Sequence, residues 1–338
     1  MNVQEKNLTA LSPARPLIKP QALRKGDTIG IISPASPAVE SGYLEYSFQW
    51  LAKLGLKYKL GKHLDDAYGV YAGSDKVRAE ELMRFFADPE IAAIMPTRGG
   101  NGAVRILPLL DFNVIAANPK IFIGYSDITG LLIPIHQQTG LVTFHGPDLK
   151  SFFRTEYTYN NFKRAITVAK PLGLMEDPQE SIWNPPYPPP RMVIKEGSGR
   201  GKLVGGCMTL IRQLMGTPYE IETEGKIVFL EDLEEEPHAI DRFLSQLLLA
   251  GKLQKAAGII IGQCMNCRPG DSHRNVLPVN YGLEYVLKER LSGLKIPIIY
   301  GLRIGHSDHK LTLPLGVMAT LEAAGDRVRF QIEESALV

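Results

Sequence analysis

A run of short extended segments, spaced by stretches of helical periodicity, limits most strongly what this chain can fold into. TIGII at 28–32, LKYKL at 56–60, IAAIM at 91–95, KIFIG at 120–124 and LVTFHGP at 141–147 are each too brief for helices and are mostly apolar throughout. Between them, Tyr43, Tyr46, Leu51 and Leu54 recur near helical spacing. Val77, Leu82, Phe85 and Phe86 do so in SDKVRAEELMRFFADP, where Ser74 stands at the N-cap position, and DITGLLIPIHQQTG carries a further helix. AVRILPLL at 103–110 continues the rhythm. Strands that are apolar on both faces need helices on both sides, which is the parallel βαβ arrangement. An α/β domain with a parallel sheet is therefore predicted over residues 21–165.

The pattern breaks at residues 171–191, PLGLMEDPQESIWNPPYPPPR, where seven of twenty-one positions are proline. Such a stretch can continue neither a helix nor an interior strand. We assign residues 166–190 to a proline-rich crossover, on which Trp183 and Tyr187 are placed to line a cleft. A second, mixed α/β domain is predicted over 191–335. Its segments are MVIKEG, GKLVGG, the helical CMTLIRQLMG, KIVFLED, a helix from Pro237 through Leu249, the strand AAGIIIG, a helix in VNYGLEYVLKERLSG, and IPIIYGL. Short β segments close the chain. The first twenty residues mix charge, Ser and Pro with no apolar signal-peptide core, and read as a flexible leader, order beginning near RKGDTIG.

With 338 residues the chain is long enough for two domains. Its 38 Lys+Arg and 36 Asp+Glu leave a net charge of +2, which points to no nucleic-acid polymer as partner. Three cysteines make no secreted disulfide framework, and no apolar run approaches the ~18 residues of a membrane span. A cytoplasmic enzyme without a membrane partner is the expectation.

Several segments carry residues suited to chemistry. In KIFIGYSDITG, Ser126 follows an apolar strand, precedes a helix and has Gly124 two positions earlier. A nucleophile elbow exposes a serine in this way and sets the following amides beside it. Ile128 occupies the position of the second glycine, so a simple helix N-cap is the alternative. TRGGNG at 97–102 also follows a strand, and its glycines let backbone amides converge on an anion or a developing oxyanion. It lacks the lysine of a P-loop, and the first strand is not followed by the dinucleotide glycine fingerprint, which counts against a nicotinamide oxidoreductase.

KIVFLEDLEEEPHAIDRF places Glu231 where a buried strand meets a loop. Asp232 is suited to local backbone donors, and Glu234, Glu235 and Glu236 read as a solvated run. GHSDHKLTLPLG supplies His306 and His309, either of which could act as a base; His136 reads as a packed helical histidine. Cys264 and Cys267 form one C-x2-C with His273 nearby. No second pair accompanies them and Cys207 is distant, so no metal site is expected.

Taken in order, KGDTIGIISPAS, TRGGNGAVRILPLLD, FIGYSDIT, GGCMTLIRQLMGTPY, FLEDLEEEPHAIDRFL and GHSDHKLTLPLG resemble the LD-carboxypeptidase family of serine peptidases, which includes a microcin-immunity branch. The resemblance covers about residues 21–330. It implies a flavodoxin-like N-terminal domain, a C-terminal domain with a small β-barrel-like sheet, and a homodimer. It also implies a Ser–Glu–His triad at Ser126, Glu231 and His306, an oxyanion hole from the Gly100 and Asp127 amides, and no cofactor. Gly99, Trp183 and Cys207 are the implied substrate-binding positions. Cys207 departs from the family's usual asparagine, and the loop holding CMNCRPGDSHRN is longer than usual.

The activity implied is hydrolysis of an L–D peptide bond, such as diamino acid–D-Ala of a murein tetrapeptide, with a small peptide or peptide conjugate as substrate. The alternatives are a microcin-immunity-like hydrolase of peptidyl-aminoacyl nucleotides and a noncatalytic peptide- or nucleotide-binding module.

Overall fold

The computed structural model describes residues 15–38, 41–178, 191–270 and 281–338. The first sheet contains β1 (Thr28–Ile32), β2 (Lys57–Leu60), β3 (Ile91–Pro96), β4 (Ile121–Gly124) and β5 (Phe144–His145). These lie in the spatial order β2-β1-β3-β4-β5, every neighbouring pair parallel. This is the flavodoxin-like order, in which ligands collect at the carboxyl ends of the strands where the winding reverses.

Helices α1 (Ser41–Lys53), α2 (Asp75–Ala87), α3 (Phe112–Ala117), α4 (Thr129–Thr139) and α5 (Glu156–Thr167) accompany the strands. The Ser74 hydroxyl caps α2 by accepting from Val77 N at 3.4 Å. Ala79, Leu82, Phe85 and Phe86, at helical spacing, form its buried face. AVRILPLL is a 3₁₀ helix over Ala103–Leu109. It begins at Gly102 in the left-handed region and contains Pro108, which has no N–H to offer.

The second sheet is formed by β6 (Gly173–Leu174), β7 (Met192–Lys195), β8 (Gly197–Cys207), β9 (Ile227–Glu231), β10 (Gly258–Gly262) and β11 (Ile298–Leu302), joined by two later strands. Helices α6 (Met208–Leu214), α7 (Pro237–Leu249) and α8 (Leu283–Leu291) lie between its strands in sequence. The short β12 (Leu313–Pro314) leaves this half of the chain and pairs antiparallel with β5 at the edge of the first sheet. β13 (Met318–Ala324) and β14 (Arg327–Ile332) return to the second, whose order is β6-β14-β13-β8-β9-β10-β11-β7. Its centre, β8-β9-β10-β11, is parallel, and antiparallel strands flank it. Among the described residues the hydrogen-bonded order of this mixed sheet ends at β6 and β7 without closing into a barrel.

Two expected boundaries change. Residues 16–20 do not hang free of the fold as a leader. Ile18 forms a parallel bridge with Leu141, Val142 N donates to Ile18 O at 2.8 Å, and Val338 N donates to Pro20 O at 3.0 Å. Backbone pairing of this kind depends on no side-chain pattern, so composition does not reveal it. The crossover expected over 166–190 begins with structured residues, because α5 continues to Thr167 and β6 pairs with β14. Trp183, Tyr187 and His273 lie outside the described residues. No helix among those described is long and apolar enough to cross a membrane.

Candidate active site

Ser126 stands two residues beyond β4 with φ 59, in the left-handed region that a residue bearing a Cβ enters at a cost of about 1–3 kcal/mol. The 3₁₀ turn Ser126–Ile128 leads directly into α4. Its N-cap is Tyr125, and no side chain caps it. Ser126 is thus held in a sharp strand-to-helix turn of the elbow type and is not the N-cap of that turn. It is half-buried, whereas Asp127 beside it is buried.

The TRGGNG turn leaves β3 alongside. A Cβ on Gly99 would lie 2.9 Å from Ser126 Cβ, 3.2 Å from its Oγ and 3.3 Å from Asp127 N, so the turn presses its backbone against the serine. Gly100 has φ +113, and a side chain there would strike Ser36. The Ser36 hydroxyl accepts from Asn101 N at 3.0 Å and donates to Val70 O at 2.7 Å. Arg78, 1% exposed, donates to Pro34 O at 2.6 Å and Gly102 O at 2.8 Å, tying the loop after β1 to this turn. The Asp127 carboxylate accepts from Ala103 N at 2.7 Å, and burial pushes its pKa up to about 6. We expect Gly99→Ala to lower kcat by roughly 10- to 100-fold in a folded protein, since displacing a reacting atom by about 1 Å has that effect. Steady-state kinetics beside a thermal melt checks it, and unchanged kcat would show the turn can yield.

The second sheet contributes the other half. Glu231 closes β9 at its carboxyl end, in register with Cys207 at the end of β8. Its side chain is 1% exposed. Oε2 lies 2.8 Å from His306 Nδ1 and accepts from His306 N at 3.2 Å. His306 reaches it because the chain turns just past β11 at Gly305, φ +62, where any side chain would collide with the Glu231 carboxylate. Burial opposes charge on both groups, but each stabilises the other. His306 is held above the ordinary imidazole value and Glu231 well below the usual carboxylate range, with His145 adding to the effect on Glu231.

The two halves meet here. The Tyr125 ring, adjacent to Ser126, lies edge-on to His306 at 5.1 Å, with Lys310 Nζ 4.2 Å from its centre. Burial lowers the pKa of Lys310 to about 8. Cys207 N donates to Thr129 Oγ1 at 3.1 Å, joining β8 to α4.

His306, not His309, is the histidine placed on Glu231; the His309 ring rests against Tyr157 at 5.9 Å. Asp232 accepts from Leu233 N, Thr209 N and Thr209 Oγ1 at 2.9–3.0 Å, and burial beside Glu231 raises its pKa to about 6. Cys207 is 3% exposed, and its thiol lies 3.6 Å from Asp232 Oδ1. Glu234 is exposed, and Glu235 and Glu236 are half-buried. Burial brings His136 down to about 4, with Nδ1 on Leu141 O at 2.9 Å. Cys207, Cys264 and Cys267 are buried thiols, and among the described residues no three His, Cys, Asp or Glu side chains group to hold a metal. Sequence reasoning passed over His145, Tyr125 and Lys310. Only for His145, at the carboxyl end of a parallel strand, was there a positional signal.

A serine in an elbow whose neighbour Tyr125 packs on the histidine of a histidine–carboxylate pair, each at the carboxyl end of parallel strands, is chemically suited to acyl-transfer hydrolysis. Residues 29–146 match the LD-carboxypeptidase N-terminal domain and residues 200–321 the LD-carboxypeptidase C-terminal domain. The chain belongs to the LD-carboxypeptidase family and is a serine-type carboxypeptidase. It is 40% identical over 306 residues to the "Probable murein peptide carboxypeptidase" of Bacillus subtilis (strain 168), covering 90% of this chain and 92% of that one. It is 34% identical over 325 residues to the "Microcin C7 self-immunity protein MccF" of Escherichia coli, covering 89% and 92% respectively. The solved structure of MccF in complex with glutamyl sulfamoyl guanosine superposes with a TM-score of 0.84 at 29% identity, over 95% of this chain and 99% of that one.

Proposed function

We propose that the protein hydrolyses an L–D peptide bond in a small peptide, such as diamino acid–D-Ala of a murein tetrapeptide, through Ser126, His306 and Glu231. The observation that carries this reading is the buried 2.8 Å contact between Glu231 Oε2 and His306 Nδ1 beside the Ser126 elbow. Ser126 Oγ attacks the carbonyl carbon while His306, through Nε2, takes its proton. Glu231 fixes the tautomer and stabilises the imidazolium without taking the proton itself. The Gly100 and Asp127 amides receive the oxyanion. The C–N bond breaks as His306 returns the proton to the departing amine, and water then releases the acyl-enzyme by the same route.

In this reading no residue is assigned to a cofactor, Gly99 shapes the oxyanion turn, and Cys207 supports the site through Asp232. A cytoplasmic homodimer accompanies it, with light scattering as the check on assembly. A second reading, cleavage of a peptidyl-aminoacyl nucleotide, is favoured by the MccF complex with glutamyl sulfamoyl guanosine. Trp183 would then stack on the base. Incubation with a murein tetrapeptide and with a peptidyl-aminoacyl nucleotide analogue, followed by mass spectrometry, separates the two. Release of D-Ala from the tetrapeptide is expected; cleavage of the nucleotide conjugate alone would replace the first reading by the second.

A further inference from the structure

The Glu231 carboxylate has a second oxygen, and His306 uses only one. Oε2 takes both contacts from His306, while Oε1 is buried and has no hydrogen-bond partner. Facing it at 3.6 Å is Nε2 of His145, a side chain 0% exposed whose two ring nitrogens are equally without partners. His145 ends β5 in the first sheet, held by backbone pairing between Gly124 of β4 and Leu313 of β12. Its ring meets Phe229 of β9 edge-on at 5.1 Å, so it reaches across to the strand that carries Glu231. Unpaired polar atoms this deeply buried are rare, and here two of them face each other. A proton on Nε2 satisfies both, once the gap closes to the roughly 2.8 Å of a charge-assisted bond.

We propose that His145 is a positioning residue of this hydrolase: a second imidazole that donates from Nε2 to Glu231 Oε1 and fixes the plane of the carboxylate. Anchored at one oxygen, a carboxylate turns about its Cγ–Cδ bond and loses alignment with its partner. Anchored at both, it keeps Oε2 on His306 Nδ1 through the cycle. His145 transfers no proton in this scheme. It also explains why β12 crosses to the first sheet, since that pairing buttresses β5 on its open side. The inference rests on the Ser126–Glu231–His306 reading.

The test uses His145→Phe, which keeps a ring and removes the donor, and His145→Gln, which restores an N–H of similar reach. For His145→Phe, kcat is expected to fall 10- to 100-fold with KM changed less than about threefold. The acid limb of kcat/KM should move down toward the ordinary imidazole value, because a loosened carboxylate no longer stabilises the His306 imidazolium. His145→Gln should recover most of kcat and return the limb. The other titratable groups acting on His306 and Glu231 are Asp232, Lys310, Asp148, Tyr125, Cys207 and Cys264, which are unaltered in these variants, so the shift reports His145.

Should the phenylalanine variant not fold, ¹⁵N-imidazole NMR of the unaltered protein decides. Nε2 of His145 carries the proton if the proposal holds, and a bare Nε2 overturns it. Wild-type kcat and an unmoved acid limb in folded His145→Phe overturn it as well. Ser126→Ala and Glu231→Gln are assayed in parallel: activity surviving there defeats the underlying triad instead.

Discussion

Ser126→Ala is expected to lower kcat on the preferred peptide by about 10⁴- to 10⁶-fold, leaving the fold intact and KM within a few-fold. Among the described residues Ser126 is the hydroxyl held at positive φ against Gly99. The residual rate would come from the oxyanion amides and substrate positioning. The same substitution tests the strain of the turn. Alanine keeps the Cβ, so the left-handed conformation remains costly, and glycine relieves it. Ser126→Gly should therefore melt at a higher temperature than Ser126→Ala while being equally inactive. Calorimetry with single-turnover kinetics gives both quantities. Near-normal turnover in the alanine variant would remove Ser126 from the mechanism.

Glu231→Gln has the second-largest expected effect, a loss in kcat of about 10⁴-fold, since an amide can present the wrong tautomer to His306 and cannot stabilise its cation. The sign of the pH effect follows from the contacts. A base must be neutral to accept the serine proton, so kcat/KM rises as pH passes through the His306 pKa. Burial lowers that pKa and the Glu231 charge raises it, with the net shift upward. The wild-type acid limb should therefore lie above the ordinary imidazole value of about 6.5. In Glu231→Gln burial and the Lys310 charge still lower the His306 pKa and only the smaller Asp232 contribution raises it, so the residual activity should show the limb below that value. A pH–rate series on both proteins measures it. A limb that stays in place would mean that the titrating group is not His306 held by Glu231.

The parallel arrangement of the first sheet was legible because TIGII, IAAIM and IFIG are short, nearly all apolar and buried, whereas β2 is exposed along its length, and the helix led by Ser74 shows a regular buried face. Glu231 and Ser126 were legible for a related reason, as polar residues closing apolar strands. β12 was not, since two residues, Leu313 and Pro314, form no period. The docking of Ile18 on Leu141 runs through backbone N–H and C=O groups that every sequence contains. Asp232 illustrates an intermediate case, in which sequence suggested local backbone donors and the fold added Thr209 from the start of α6.

By itself, then, the sequence determined which residues end strands, and with them the serine elbow, the glycine turn and the two carboxyl-end loops of the site. The residue pattern left both His306 and His309 open and the family resemblance implied His306; the contact itself comes from tertiary structure, because both lie in one loop and the turn at Gly305 brings His306 to Glu231. It alone set His145 against the other oxygen, across two sheets whose strands are far apart in the chain. Periodicity reports burial along one element; the pairing of a buried acid with its partners depends on how two elements pack, which no single segment encodes.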